Sequence, residues 1–241
     1  CWMLFFMEEK MKTAGYFTFG EKLLWGGSVL VIMVSFLLFD RENFLTLIAS
    51  IVGVTSLIFA AKGNPVAQGL MIVFSLLYGY ISYTFAYYGE MATYLGMTGP
   101  MAVFSLISWL RNPFEGRRSE VRVNSISGGE WIFMLILSAA VTGVFFFILR
   151  YFGTANLLPS TLSVTTSFIA VYLTFRRSPY FALAYAANDG VLILLWSLAS
   201  LKDSSYISVL MCFAAFLVND LYGFISWRKM AIRQREVCFN D

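Results

Sequence analysis

The chain contains no histidine. That removes Ser–His and Cys–His nucleophilic pairs and the commonest metal ligand. Charge is scarce too: Asp, Glu, Lys and Arg make up 13% of the 241 residues, against roughly 25% in a soluble domain. Cysteine occurs only as Cys1, Cys212 and Cys238, with no spacing that reads as a disulfide framework or a zinc site. There is no D-D-x-x-D motif and no nucleophile elbow with partners. An enzyme is therefore not expected, and neither is a cofactor. What fills the chain is apolar: 59% hydrophobic residues, 18% aromatic, mean hydropathy +0.73. Such a chain belongs in a membrane, with lipid as its surroundings.

Apolar segments near 23–39, 43–61, 66–88, 91–110, 131–152, 157–175, 180–201 and 205–227 approach the ~20 residues a spanning helix needs. The predicted fold class is an all-α polytopic membrane protein with eight transmembrane helices. Polar breaks such as "DRE", "KGNP" and "RRSP" are short enough to force antiparallel neighbours. A longer connection, 111–130, divides the chain.

Of the 17 basic residues, 14 fall on one side of this layout: Lys10, Lys12, Lys22, Lys62, Arg111, Arg117, Arg118, Arg122, Arg176, Arg177, Arg228, Lys229, Arg233 and Arg235. Arg41, Arg150 and Lys202 fall opposite. The positive-inside rule then puts both termini in the cytoplasm. The net charge of +3 reflects topology and asks for no nucleic-acid partner. Residues 1–22, opening "CWMLFFMEEKMK", read as a cytoplasmic or interfacial segment, and 228–241 as a basic cytoplasmic tail.

The halves echo each other. "ENFLTLIASIVGVTSLIFAAKGNP" (42–65) resembles "ANLLPSTLSVTTSFIAVYLTFRRSP" (155–179), matching Asn43 to Asn156 and Pro65 to Pro179. "SLISW" (105–109) likewise matches "GFISW" (223–227). The offset drifts only from 113 to 118 residues. The expected plan is 1+3+1+3: an extra helix at 23–39, a three-helix repeat at 43–110, a linker helix at 131–152 and a second repeat at 156–227. Repeats of the same direction are related by an axis along the membrane normal, with a site near the midplane between them.

The spans hold two apparent carboxylates, Asp189 and Asp220, each after an asparagine, in "YAANDGVLILLW" and "FLVNDLYGFISW". Counted from the helix ends at about 1.5 Å per residue, Asn188 and Asn219 sit at one depth. Interhelical hydrogen bonding would explain these residues; a wet cavity for a polar solute would explain them as well. Trp196 shares a helix face with Asn188, and Tyr222 with Asn219. Tyr80, Tyr83 and Tyr87 form a stripe that fits either packing or a site. Trp109 and Trp227 read as interfacial anchors. Carboxylates beside aromatic faces suit a flat, cationic solute. The matching positions of the first half, Phe74, Ser75, Met101 and Ala102, lack this polarity, so the site is asymmetric. Gly96, Gly99 and Pro100 are expected to kink the fourth span.

The paired "ND" dipeptides, "NP", "LYGFISW" and the 1+3+1+3 plan resemble the PnuC family of vitamin transporters over about residues 40–230. The resemblance implies a SWEET-like fold and inward facilitated diffusion of nicotinamide riboside in a bacterial inner membrane. It also implies a homo-oligomer, trimers occurring in the family. Relatives carry thiamine, riboflavin or nucleosides. The substrate-binding residues it implies are Asn188, Asn219 and Tyr222. The reading of the residues adds Trp196, Asp189, Asp220 and Tyr83. Some members carry a tryptophan pair before the seventh-span asparagine, where this chain has Phe181 and Ala184. Some carry amides in the fourth span, where Met101 and Ala102 stand. A proton-coupled carrier, with an aspartate as proton site, is the alternative mechanism.

Overall fold

The computed structural model describes residues 15–84, 88–154 and 156–240, with side chains through Val237. Expectations for 1–14, including Cys1, Lys10 and Lys12, and for Tyr87 and the Cys238 side chain lie outside the described residues. Eight helices among the described residues are long and apolar enough to cross a membrane. They are α1 (Phe19–Phe39), α2 (Phe44–Ala61), α3 (Val66–Thr84), α4 (Tyr88–Arg111), α5 (Gly128–Tyr151), α6 (Leu157–Phe175), α7 (Phe181–Ser200) and α8 (Ile207–Asn240).

Local chemistry explains where the boundaries differ from the apolar runs. α1 starts before Leu23 because Thr18 and Glu21 form a capping box. The Glu21 N–H donates to Thr18 Oγ1 at 3.3 Å, and the Thr18 N–H donates to Glu21 Oε2 at 2.7 Å. α8 does not stop at Trp227. It continues through "RKMAIRQREV", which has no Gly or Pro and buries Met230 and Gln234 on one face. The expected tail is therefore helix. In α4, residues Tyr94–Thr98 widen into a π turn just ahead of Gly99 and Pro100. Pro100 has no N–H to return to the preceding turn, and its ring crowds that turn. The connection 111–130 holds a small antiparallel hairpin, β1 (Pro113–Phe114) and β2 (Arg117–Val121). Its turn residues Glu115 and Gly116 have φ of 47° and 73°, as a type I′ turn requires. The fold is all-α apart from this hairpin.

Helices α2, α3, α4, α6, α7 and α8 close a ring, each packed on the next and α8 returning to α2. α1 lies outside the ring against α2 and α8, and α5 outside it against α6. The approach of α2 to α8 depends on Gly53, where a Cβ would come within 2.4 Å of Phe216 Cζ.

The two halves are fastened by matching hydrogen bonds. The Trp109 indole N–H donates to the Thr174 carbonyl and the Ser108 hydroxyl to the Phe175 carbonyl, both at 2.9 Å. Trp227 and Ser226 do the same to the carbonyls of Ala60 and Ala61, both at 2.7 Å. The last carbonyls of a helix have no partner within it. Here each Ser-Trp pair caps the helix end of the opposite half. The turns that follow correspond too: Gly63 and Arg177 both take positive φ, and the next N–H groups, of Asn64 and Ser178, return to Phe59 and Leu173. The two halves thus end on corresponding contacts at this end of the bundle.

Trp109 and Trp227 are not interfacial anchors. Both are fully buried. With Phe181 they fill the ring at this end, the Trp227 centroid lying 5.4 Å from Trp109 and 4.8 Å from Phe181. An indole N–H is satisfied equally by a headgroup layer or by a helix-end carbonyl, so residue type could not decide between them. Lys62, Arg176, Arg177 and Arg228 mark this as the basic end of the bundle.

Candidate functional site

A cleft of about 370 Å³ enters the ring at the end opposite the basic one, within the range of small-molecule sites. It lies between Tyr88 and Glu90 of α4, Ser160 of α6, Trp196 of α7 and the α5–α6 connection. A narrow extension of about 20 Å³ runs inward past Glu90, Thr93, Tyr94, Ser163 and Ser167. Ser160, Ser163 and Ser167 recur at helical spacing, so one face of α6 supplies a ladder of hydroxyls. Ser167 leads to Asn188, whose Oδ1 accepts from Ser167 Oγ at 3.0 Å and from Thr166 Oγ1 at 2.8 Å.

Asp189 is one residue on, about 100° around the helix, and meets a different neighbour. Its carboxyl lies beside that of Asp220 on α8. Two buried carboxyls side by side cannot both ionise cheaply, so such a pair favours sharing a proton. Both residues are buried, 3% and 4% exposed, and Asp189 Oδ2 makes no hydrogen bond. Tyr185 lies close to both aspartates and reaches Thr174 with its hydroxyl. Tyr94 lies close enough to Glu90 and Asp189 to feel both charges. The structure thus sets Asn188 behind Ser167 of the inner extension and brings Asp189 and Asp220 together one residue further on, none of the three lining the cleft itself. Basic side chains are absent from this inner part, Lys202 standing at the outer mouth.

The other expected residues point elsewhere. Asn219 Nδ2 donates to Ser28 Oγ of α1 and to the Ala215 carbonyl, both at 2.8 Å, while its Oδ1 makes no hydrogen bond. The Tyr222 hydroxyl donates to Glu21 Oε1 at 2.9 Å, and the same oxygen pairs with Lys62 Nζ at 3.0 Å. Asn219 and Tyr222 do share a face, but it is turned to α1, outside the ring. Trp196, by contrast, does line the cleft, its ring 5.4 Å from that of Tyr206. Tyr83, like Tyr80, is 58% exposed on the outer surface of α3. A stripe marks one helix face without saying which way it looks; on α3 the inward tyrosine is Tyr78.

Two elements escaped the sequence reading. Glu90 falls in the gap between the apolar segments 66–88 and 91–110, yet α4 begins at Tyr88 and carries Glu90 into the cleft as a third carboxylate. The α6 hydroxyl ladder was visible as "PSTLSVTTS" but has no sequence feature that separates it from ordinary helix packing. Among the described residues no group of His, Cys, Asp or Glu stands ready to hold a metal.

A family model described as "Nicotinamide mononucleotide transporter" matches residues 43–229, from just before α2 into the extension of α8. Two curated relatives carry the name nicotinamide riboside transporter PnuC. The one from Neisseria mucosa is 26% identical over 200 residues, covering 81% of this chain and 76% of the relative. The one from Haemophilus influenzae is 21% identical over 193 residues, covering 80% and 82%. A solved structure, described as the crystal structure of the vitamin B3 transporter PnuC, superposes with a TM-score of 0.79 at 24% identity, over 93% of this chain and 97% of that one. That likeness speaks for the fold.

Proposed function

This chain belongs to the nicotinamide mononucleotide transporter family, and on that premise we propose that it carries nicotinamide riboside into the cell by facilitated diffusion. The observation that carries the choice of substrate is the charge of the path. Inward of Lys202 and Asp203 at the mouth, the path presents Glu90 and leads toward Asp189 and Asp220, with no basic side chain among the described residues that line it. The riboside is a flat cation without phosphate, and its charge offsets the cost of a buried carboxylate. A mononucleotide would bring a phosphate dianion to a place with no guanidinium or ammonium to meet it. Thiamine, also cationic and flat, meets the same electrostatic test and is the alternative substrate.

In this reading the basic end is cytoplasmic, as the charge asymmetry supports, and the membrane is the bacterial inner membrane. α2–α4 and α6–α8 form the two repeats, with α1 and α5 as additions outside them. The exposed apolar face of α5 is open to lipid or to further copies in a homo-oligomer. Substrate enters the cleft beside Trp196 and Glu90 and exchanges hydroxyl contacts on α6 for Asn188 and the carboxyl pair. The Trp109–Phe181–Trp227 cluster blocks the other end. Rocking of the two repeats would part that cluster and close the cleft.

The test is counterflow in proteoliposomes without an ion gradient. Labelled riboside should exchange saturably, and unlabelled mononucleotide should not compete. Equal exchange of mononucleotide would refute the charge argument. The adjacent carboxyls of Asp189 and Asp220 also support a second reading, proton coupling. It requires riboside uptake to accelerate when the outside is made acid, and a flat response removes it.

A further inference from the structure

At the basic end, outside the ring, a cavity of about 590 Å³ opens between the 111–130 connection, the start of α7 and the extension of α8. Three guanidinium groups line it, Arg122, Arg228 and Arg235, beside the aromatic pair Trp131 and Tyr180; no Asp or Glu contributes. The two rings meet edge to face, centroids 5.9 Å apart at 71°. Arg228 stands over Tyr180, 5.9 Å from its centroid, and donates from Nη1 to its hydroxyl at 3.2 Å. Two acids of the adjoining segments have partners outside the cavity: Glu120 with Arg233, and Glu130 with Arg176. Burial, and then repulsion from Arg176 and Arg122, lower the pKa of the neighbouring Arg177. Ser178, Pro179 and Tyr180 lead into the first turn of α7 and line the cavity as well, so the positive end of that helix adds to the field. The transport path uses none of these groups.

We propose that this cavity binds a nucleoside monophosphate from the cytoplasmic side. Guanidinium groups are suited to phosphate, with planar, bidentate donors. The Trp131–Tyr180 corner offers a face and an edge to a flat base. The volume is that of a small-molecule site. A bound ligand would join the start of α7 to the extension of α8, the two helices that carry Asp189 and Asp220. The orientation, though not the chemistry, rests on the transport reading.

The experiment uses the purified full chain in detergent, with labelled adenosine monophosphate in equilibrium dialysis and riboside binding measured in parallel. Saturable binding of the monophosphate is expected. Arg228→Gln and Arg235→Gln should each weaken it by about tenfold and leave riboside affinity unchanged. Adenosine and inorganic phosphate should each compete poorly alone. A chain that binds riboside but shows no saturable monophosphate binding overturns the proposal. So does displacement by inorganic phosphate as effective as by the nucleotide. Binding of phosphatidylglycerol vesicles without binding of the monophosphate makes the site a lipid headgroup site and overturns the soluble ligand. Loss of riboside binding in a chain that holds the monophosphate sinks the transport reading and leaves this one standing.

Discussion

The carboxyl pair beyond the inner end of the cleft makes an unusual demand on mutagenesis. Asp189 and Asp220 lie side by side, and two like charges in one buried place favour sharing a proton, which leaves the pair one net negative charge. Replacing either by asparagine supplies the missing donor as an amide N–H and leaves the other residue to carry the charge. Asp189→Asn and Asp220→Asn should therefore each change riboside affinity by less than about fivefold, within the ~1 kcal/mol spread of one exchanged hydrogen bond. The double substitution removes the charge. A cation about 5 Å from a unit charge, at an effective dielectric of about 20, is worth about 3 kcal/mol. The double variant should thus lose roughly a hundredfold in affinity. An uncharged nucleoside of similar size should bind wild type and double variant alike. Binding to protein in nanodiscs, with thermal unfolding as the folding control, measures this. If either single variant is as impaired as the double, or if the double binds the cation normally, the shared-charge account is wrong.

Other outcomes follow from particular contacts. Trp109→Phe and Trp227→Phe each remove the indole hydrogen bond to a helix-end carbonyl that keeps a backbone donor, from Arg177 or Gly63, so each should cost about 1 kcal/mol in unfolding experiments, by similar amounts. Unequal losses would count against the matched capping. Tyr222→Phe removes the hydrogen bond to Glu21 and should cost about 1 kcal/mol with riboside affinity intact; a large affinity loss would return Tyr222 to the site. Tyr83→Ala, on the outer surface, should transport like wild type in counterflow. Gly53→Ala drives a methyl into Phe216 and should lower the melting temperature, a change that additional space from Phe216→Leu should partly reverse.

Much of the bundle could be read from the sequence because lipid imposes a simple length rule. α6 and α2 follow their apolar runs almost residue for residue. The likeness of the two "ISW" stretches has a structural counterpart, since the serine and tryptophan of each make cross-half hydrogen bonds. Asn188, Asp189 and Asp220 stand out in the sequence because polarity inside a span is costly and asks for a partner. The partners of Asn219 and Tyr222, Ser28 and Glu21, are far away in the chain on α1, where no sequence pattern points to them. Glu90 was lost because a carboxylate in a helix's first turn looks the same in sequence as one in a loop. Tyr83 shows that spacing gives a face, whereas only packing gives its direction.

The 111–130 connection has a mechanical consequence. Its Val121 N–H donates to the Gly63 carbonyl at 2.9 Å, and its Asn124 N–H to the Arg177 carbonyl at 3.0 Å. Those carbonyls belong to the corresponding turns of the two halves, and only three residue steps of chain join the two donors. Extended chain covers about 3.3–3.6 Å per residue, so the donors can be no more than about 10–11 Å apart while both bonds hold. Gln234 of α8 fixes the same strip of chain, accepting from the Val123 N–H and donating to the Val121 carbonyl. The connection is thus a tether of known length, and it sets the stroke available to the two halves at the basic end before one anchor has to let go.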